Sequence, residues 1–302
     1  MSETADFMVP PARLAPAAVL ELLKPITWFA PMWAFICGLV SSGESASGHW
    51  LSIGQGVLLC GPLVCGTSQA VNDWYDRHVD AINEPNRPIP SGRIPGNWGL
   101  RIAIAWTVLS LVVAANLGVW VFVPGIVGMV LAWLYSAPPA RLKRNGWLGN
   151  MAVGACYEGL PWVTGAALMA GGVPDVKVFV MAALYSVGAH GIMTLNDFKS
   201  IDGDRKMGIE SLPAVFGADL AAQLACVVMA GAQIVVISML WLWHLPVFAL
   251  LVFGVLMAQF GLMGRLLAQP HEKAPWYNAT GTTLYVLGML ATGFALQSLH
   301  TP

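Results

Sequence analysis

Three oxygen-bearing side chains, Asn72, Asp76 and Asp80, recur at every fourth position directly after an apolar run. If the helix predicted for that run continues through them, the three side chains lie one turn apart on one face. Oxygen ligands at this spacing suit a hard cation such as Mg²⁺. Arginine is the side chain best shaped for phosphate, and arginines lie in or just beyond the stretch at 77, 87, 93 and 101. The residues therefore predict a site for a metal ion and a diphosphate.

A second acidic cluster follows a later apolar run and repeats the spacing of the first. In NDFKSIDGD, the residues Asn196, Ser200 and Asp204 again recur every fourth position, and Asp197 lies beside them as a further metal-ligand candidate. A solvated helix end is the usual alternative for a charge run, but the shared register and the adjacent basic residues favour a ligand site. The carboxylates predicted to act in catalysis are Asp76, Asp80 and Asp204.

Basic residues in three loops are the predicted diphosphate contacts. The tract PNRPIPSGR is stiffened by its prolines. The segment YSAPPARLKRNGWLGN carries several positive charges, and further basic residues lie within and just after the second acidic cluster. A stiff connector or a membrane-surface anchor is an open alternative for each segment. The candidates are Arg87, Arg93, Arg141, Lys143 and Lys199.

Three polar side chains in or beside the apolar runs are candidates for a substrate pocket: Tyr135, Glu158 and His190. Charges inside membrane spans are costly and usually functional, which singles out Glu158. His190 precedes Asn196 by less than two helical turns, although a structural, hydrogen-bonded histidine is the commoner role.

The composition is that of an integral membrane protein. Of the 302 residues, 57% are hydrophobic and only 10% are charged, whereas soluble domains average about 25% charged residues. The net charge of −1 argues against a nucleic-acid partner and leaves the lipid bilayer as the predicted environment. The five cysteines show neither metal-ligand spacing nor a disulfide framework.

An all-α fold with nine transmembrane helices is predicted. Residues 1–21 form a polar arm with a short interfacial helix from Pro16, and residues 22–302 form one transmembrane domain. The run 100–136 is divided near Gly118–Pro124, because one helix of that length would overshoot the membrane. The apolar runs long enough to span a bilayer lie at about 24–42, 51–71, 100–117, 120–136, 147–169, 177–195, 219–242, 246–265 and 279–299.

Lysine and arginine predict the orientation. Fourteen of the 15 positive charges fall in the arm or in loops on its side, and Lys177 alone falls on the other side. The positive-inside rule therefore places the N-terminus in the cytoplasm. The acidic clusters follow the second and sixth helices, which suggests two four-helix pseudo-repeats plus a ninth helix. Transporters also show such repeats, but their ion sites lie in mid-membrane, whereas both acidic clusters here lie at cytoplasmic helix ends.

These motifs resemble one known family. The NxxxDxxxD pattern from Asn72 to Asp80, the second acidic motif and the nine helices are similar to the UbiA-type intramembrane prenyltransferases, over about residues 20–300. The strings NDWYDRHVDAINEPNRPIPSGRI, YSAPPARLKRNGWLGN and NDFKSIDGDRKMGIESLPAVFG resemble the chlorophyll synthase branch of that family, including its bacteriochlorophyll-forming members.

The resemblance implies an enzyme and a reaction. Geranylgeranyl or phytyl diphosphate would bind through Mg²⁺ to the two acidic motifs and ionise, and the propionate carboxylate of bacteriochlorophyllide or chlorophyllide would attack the allylic carbon. Release of diphosphate would complete the last step of bacteriochlorophyll synthesis. Many relatives carry aspartate at the position of Ser200, so the second motif departs from the family pattern there. The implied roles are metal binding by Asn72, Asp76, Asp80, Asn196, Ser200 and Asp204, and diphosphate binding by Arg87, Arg141 and Lys143.

The implied setting is a bacterial inner membrane or intracytoplasmic photosynthetic membrane, with the site facing the cytoplasm. Other pigment-synthesis or pigment-assembly membrane proteins are candidate partners. Three alternatives stay open: a related prenyltransferase acting on a quinone precursor or haem, a transporter, and a non-catalytic pigment-binding assembly protein. The last of these leaves the paired acidic motifs unexplained.

Overall fold

Regular structure is almost entirely helical in this chain, as a membrane environment requires of a backbone that must satisfy its own hydrogen bonds. The computed structural model describes residues 14–300, and in that range the single β-bridge joins Asn145 to Glu210. The predicted all-α class is confirmed. In order, the helices are α1 (Pro16–Leu22), α2 (Phe29–Ser41), α3 (Trp50–Leu58), α4 (Gly66–Asn83), α5 (Trp98–Asn116), α6 (Val119–Ser136), α7 (Gly146–Gly154), α8 (Leu160–Ala170), α9 (Val176–Asn196), α10 (Ile201–Met207), α11 (Leu212–Phe216), α12 (Ala218–Leu242), α13 (Pro246–Ala268) and α14 (Pro270–Ser298).

Several of these helices join into longer rods that cross a membrane. The π-helical turn Leu59–Cys65 joins α3 to α4, and the 3₁₀ turn Asp197–Ser200 joins α9 to α10. Seven helical rods between residues 14 and 300 are long and apolar enough to cross a bilayer, and a bent pair at the start would make eight. The chain is therefore a multi-pass membrane protein. The predicted segment 147–169 is helical but is interrupted by the π-helical turn Ala155–Gly159, and it is not among the seven.

The first predicted span is bent, and the prediction of one helix over 24–42 was wrong. Lys24 adopts a left-handed backbone with φ 47°, and the 3₁₀ turn Pro25–Thr27 follows it. The axes before and after this break differ by 55°. The remaining 13 residues of α2 rise only about 20 Å, less than the hydrocarbon core of a bilayer. Proline at 25 explains the break, because it disfavours the helical conformation in the preceding residue.

Other boundaries follow the predictions. The arm residues 1–13 lie outside the described range, but α1 does begin at Pro16. The chain breaks at Leu117 and Gly118, where Gly118 has φ 103°, so the division of the run 100–136 is confirmed. The second span does not end near 71, because α4 continues to Asn83 and carries the first acidic motif with it.

Small residues let the helices of the core approach closely, which is the usual packing device in lipid. A Cβ at Gly38 would collide with the Trp162 carbonyl, and a Cβ at Gly165 would collide with the backbone of α2. The fully buried Trp162 ring stacks on Tyr185 at 5.4 Å, and Tyr185 meets Tyr285 edge-to-face at 5.3 Å. These contacts bind α2, α8, α9 and α14 into one rigid wall behind the site.

Candidate active site

The first acidic motif lies on one continuous helix, as its spacing predicts. Because α4 runs unbroken from Gly66 to Asn83, Asn72, Asp76 and Asp80 lie one turn apart along a single face. The Asn72 amide donates to the Ser136 hydroxyl of α6 at 3.3 Å. Asp80 is only 6% exposed, so its charge must be balanced by neighbouring cations.

Each carboxylate of this face contacts a predicted phosphate-binding cation. Asp76 forms a short ion pair with Lys143, and Arg141 lies 3.9 Å from its other oxygen. Asp80 accepts from Arg87 at 2.9 Å. Burial lowers the pKa of Lys143, although the charge of Asp76 opposes that shift. The carboxylates of this helix face are thus each paired with a basic side chain.

Asp73 is a site residue that the spacing argument missed. It lies one position outside the four-residue register, it is 1% exposed, and it accepts from Lys24 at 2.7 Å and from Arg87 at 3.3 Å. In the sequence analysis, Lys24 was only one of the positive charges that predict the membrane orientation. The available signal was the Asn-Asp pair itself, since the second motif begins with the same pair and its aspartate was predicted as a ligand.

The side chains of the second acidic motif do not lie on one continuous helix face. The predicted spacing of every fourth residue in NDFKSIDGD is therefore only partly reproduced. The 3₁₀ turn after Asn196 changes the helical repeat before α10 begins. The Ser200 hydroxyl donates to Asp204 at 2.9 Å, and Ser211 donates to the same carboxylate oxygen at 2.6 Å. Ser200 therefore holds Asp204 in position. The Asn150 amide of α7 donates to the Thr194 hydroxyl at 3.2 Å, three residues before Asp197.

Two backbone hydrogen bonds dock the basic loop onto the second acidic motif. Glu210 donates its N–H to the Arg144 carbonyl at 2.8 Å, and Gly146 donates to the Glu210 carbonyl at 2.9 Å. Asn145 then caps α7 by accepting from two backbone N–H groups at 3.0 Å. A Cβ at Gly146 would lie 2.8 Å from the backbone nitrogen of Leu212. This docking joins the loop that carries the predicted phosphate ligands to the segment that follows Asp204.

A cavity of about 390 Å³ begins between the two motifs and extends into the bundle. Its mouth combines the two motif asparagines with three cations and Tyr135. Farther in, the walls are mainly apolar. Polar side chains that sequence reasoning missed lie between the two zones, where the Tyr157 hydroxyl accepts from Gln69 at 3.2 Å and from Cys65 at 3.4 Å. The mouth residues are Lys24, Asn72, Arg87, Tyr135, Asn196 and Lys199.

Three predicted site residues neither line this cavity nor contact an acidic side chain of the two motifs. Arg93 points to α1, where it forms a two-pronged ion pair with Glu21, and both side chains are nearly half exposed. Glu158 is buried in the π-helical turn, and its Oε2 has no hydrogen-bond partner among residues 14–300. His190 packs against Trp147 with the ring centres 5.2 Å apart. None of the three lines the cavity.

The oxygen donors at the mouth have the chemistry of a magnesium site. Between residues 14 and 300, no three His, Cys, Asp or Glu side chains converge closely enough to hold a metal ion by themselves. Mg²⁺ normally takes only one or two carboxylates and completes its shell with water and phosphate oxygens. Separate carboxylates that flank a cation-lined mouth therefore fit a metal held jointly by protein and diphosphate.

Comparisons with known proteins agree with this geometry. The UbiA prenyltransferase family matches residues 24–294. The chain is 55% identical to the bacteriochlorophyll synthase 33 kDa chain of Cereibacter sphaeroides, over 94% of each chain. It is 38% identical to the chloroplastic chlorophyll synthase of Oryza sativa subsp. japonica, over 91% of this chain and 76% of that one. The fold matches a UbiA homolog from Archaeoglobus fulgidus bound to GPP and Mg²⁺, with TM-score 0.75, 21% identity and coverage of 93% and 99%.

Proposed function

The chain belongs to the UbiA prenyltransferase family, and from that premise we propose that it esterifies the propionate carboxylate of bacteriochlorophyllide with a geranylgeranyl or phytyl group taken from the diphosphate. The chain is a membrane prenyltransferase of bacteriochlorophyll synthesis. The observation that carries the proposed substrates is the two-zone cavity, with cations and the two motif asparagines at its mouth and mainly apolar walls beyond. That division matches a diphosphate head and a hydrocarbon tail.

At the mouth, the cations would bind the diphosphate. Lys143 and Arg141 lie beside Asp76, and Arg87 lies beside Asp80. Lys24 and Lys199 line the same mouth, so the leaving group would be surrounded by positive charge. Such preorganised charge stabilises the transition state because it is already in place when negative charge develops.

The acidic motifs would hold Mg²⁺, as the solved UbiA homolog with GPP and Mg²⁺ suggests by analogy. When bound, Mg²⁺ supplies positive charge to the diphosphate as it departs. Asn72, Asp76 and Asp80 would serve on one side. Asn196, Asp197 and Asp204 would serve on the other, with Ser200 and Ser211 orienting Asp204.

The acceptor needs little activation. A propionate carboxylate is already ionised at neutral pH, so one of its oxygens forms the new C–O bond to the allylic carbon as the bond from that carbon to the diphosphate breaks. No proton is transferred. The apolar inner walls would keep water from competing for the allylic carbon, and Tyr135, which lines the mouth, would position the reacting end.

We infer the membrane arrangement from charge. In this proposal the chain crosses the membrane nine times from a cytoplasmic N-terminus, as two four-helix pseudo-repeats plus a ninth helix. The acidic motifs would then lie at the cytoplasmic face of a bacterial inner or photosynthetic membrane. In this arrangement residues 1–21 form the arm and residues 22–302 the transmembrane domain, and other pigment-synthesis or pigment-assembly proteins are candidate partners. A transporter is disfavoured because the cavity has its charged groups at one end.

The proposal is tested with purified protein in lipid nanodiscs. Bacteriochlorophyllide, geranylgeranyl diphosphate and Mg²⁺ should yield esterified pigment, detected by chromatography. Asp204→Asn should lower the rate by about 10–100-fold, the usual cost of disturbing a metal site. Asp202→Asn is the matched control, because Asp202 lies in the same short helix, whereas Asp204 is the acid that Ser200 and Ser211 hold by hydrogen bonds. Absence of pigment ester, or faster prenylation of a quinone precursor or haem, would refute the proposed acceptor.

A further inference from the structure

A band of polar side chains lines the catalytic cavity between its charged mouth and its apolar interior. The members come from three parts of the chain: Thr27 from the 3₁₀ turn before α2, Cys65 and Gln69 from the rod that contains α4, and Tyr157 from the π-helical turn Ala155–Gly159. A π-helical turn often marks a functional position. None of the four side chains is a cation, so the band is unsuited to diphosphate and needs another explanation.

Hydrogen bonds within the band hold the Tyr157 hydroxyl in place. Gln69 Nε2 donates to it at 3.2 Å, and the Cys65 thiol donates at 3.4 Å. Cys65 Sγ also lies 3.3 Å from the Thr27 hydroxyl, which donates to the Lys24 carbonyl at 2.8 Å. A hydroxyl that accepts hydrogen bonds still has its own hydrogen to donate, and a primary amide that gives one N–H has a second. Tyr157 and Gln69 therefore offer two uncharged donors side by side on the cavity wall.

The depth of the band matches the depth at which the transferred carbon would lie. Gln69 comes three residues before Asn72 on α4, which places it about 4–5 Å farther into the bundle. Asp76 lies one turn from Asn72 in the opposite direction, where it meets the cation Lys143. A diphosphate at the level of Asn72 and Asp76 would therefore hold its allylic carbon on the inner side, near the level of Gln69.

We propose that Tyr157 and Gln69 bind the propionate carboxylate of the acceptor and so select a pigment that carries a free acid. This inference rests on the proposed prenyl transfer. The attacking oxygen must come within about 3–3.5 Å of the allylic carbon, and a carboxylate removed from water needs hydrogen-bond donors. One carboxylate oxygen is held by the two donors, and the other gives an electron pair to the allylic carbon. The electron pair of the breaking bond leaves with diphosphate, and both donors keep their protons.

Uncharged donors suit the acceptor better than the cations of the mouth would. A lysine or arginine binds a carboxylate more strongly than a neutral donor does, and the positive charge holds the electron pairs that the carboxylate must give. The cations of the mouth instead surround the leaving group, where negative charge accumulates. The polar band thus orients the nucleophile and leaves it reactive.

The experiment compares the binding of bacteriochlorophyllide with that of its propionate methyl ester, which lacks the ionised group, to the full chain in nanodiscs. Wild type should bind the acid about 100-fold more tightly, since each hydrogen bond to a charged group contributes about a factor of ten. Tyr157→Phe and Gln69→Met should each lower this preference about tenfold. Tyr277→Phe is the matched control and should keep the wild-type preference, because its buried hydroxyl has no hydrogen-bond partner among residues 14–300 and does not line the cavity.

Kinetics separate this inference from the proposed function. In Tyr157→Phe and Gln69→Met, the KM for bacteriochlorophyllide should rise while the KM for geranylgeranyl diphosphate stays unchanged, which also shows that the variants are folded. A wild-type preference for the acid in both variants would overturn the inference. So would an equal rise of both KM values, which would assign the band to the shape of the cavity. Wild-type protein that forms no ester would instead refute the proposed transfer, whatever its binding preference.

Discussion

Arg87 and Arg93 lie six positions apart in one loop, and the structure predicts opposite consequences of replacing them. Arg87 donates to Asp80 at 2.9 Å and to Asp73 at 3.3 Å, and both carboxylates are under 10% exposed. Asp73 keeps Lys24 when Arg87 is removed, but Asp80 has no other ion-pair partner between residues 14 and 300.

The magnitude follows from these contacts. A hydrogen bond to a charged group contributes about 1.5–3 kcal/mol. Because about a quarter of the Arg87 side chain is exposed and one bond is long, we take the low end and assign about 3 kcal/mol to the two bonds. Because Asp80 is a proposed metal ligand that Arg87 positions, we expect this loss to be felt in the transition state. Arg87→Gln should then lower kcat/KM by up to about 100-fold, since about 1.4 kcal/mol corresponds to a factor of ten. Arg87→Lys keeps the positive charge but loses the planar guanidinium that can donate two hydrogen bonds at once. Its kcat/KM should therefore lie between those of Arg87→Gln and wild type.

Arg93→Gln is the control. Its ion pair with Glu21 is 44% and 48% exposed on the two sides, and exposed pairs contribute only about 0–1 kcal/mol. Its transfer rate should therefore stay within about fivefold of wild type. Initial rates of pigment esterification, measured against donor and Mg²⁺ concentrations, give both numbers. Equal losses in Arg87→Gln and Arg93→Gln, or a loss below about threefold for Arg87→Gln, would refute the assignment of Arg87 to the site.

Three further expectations follow from the contacts of the site. Ser211→Ala removes a 2.6 Å bond to Asp204, so the Mg²⁺ concentration needed for half-maximal transfer should rise by about fivefold, the equivalent of about 1 kcal/mol; an unchanged Mg²⁺ curve would contradict this. Burial lowers the pKa of Lys143, so Lys143 loses its proton at a lower pH than an ordinary lysine, and activity should decline earlier on the alkaline side than in Lys143→Arg; identical pH profiles would count against its role. Gly146→Ala would place a Cβ 2.9 Å from the Glu210 carbonyl oxygen, so both activity and thermal stability in detergent should fall, and loss of neither would show that the loop docking is dispensable.

The first acidic motif could be predicted because it depends on one local rule. Side chains four residues apart share a helix face wherever the helix continues, and nothing in the stretch after Asn72 stops it before Asn83. The second motif has the same spacing but passes through a 3₁₀ turn, and its final geometry depends on Ser211 from a later loop. Spacing alone cannot report a contact of that kind.

The remaining differences arise from partners distant in the chain. Arg93 pairs with Glu21, which is 72 positions away in the sequence. The prediction that Arg93 binds diphosphate used only its residue type and its loop, and neither indicates that Glu21 is its neighbour in the fold. The charge of Lys24 was used only to predict the membrane orientation, and its contact with Asp73 was not predicted. The bend at Lys24, in contrast, had a local signal in Pro25, which the length of the apolar run obscured.

The two-zone cavity also bears on how the reaction is kept from running backwards. Its mouth is polar and its inner walls are apolar, so the two products of the proposed transfer have affinity for different phases. Diphosphate is soluble in water, whereas each buried CH₂ of the new ester favours the bilayer by about 0.8 kcal/mol. Once the products have parted into water and lipid, reversal requires both to return to one cavity together. Catalysis at a phase boundary therefore separates the two products and makes the reverse reaction infrequent.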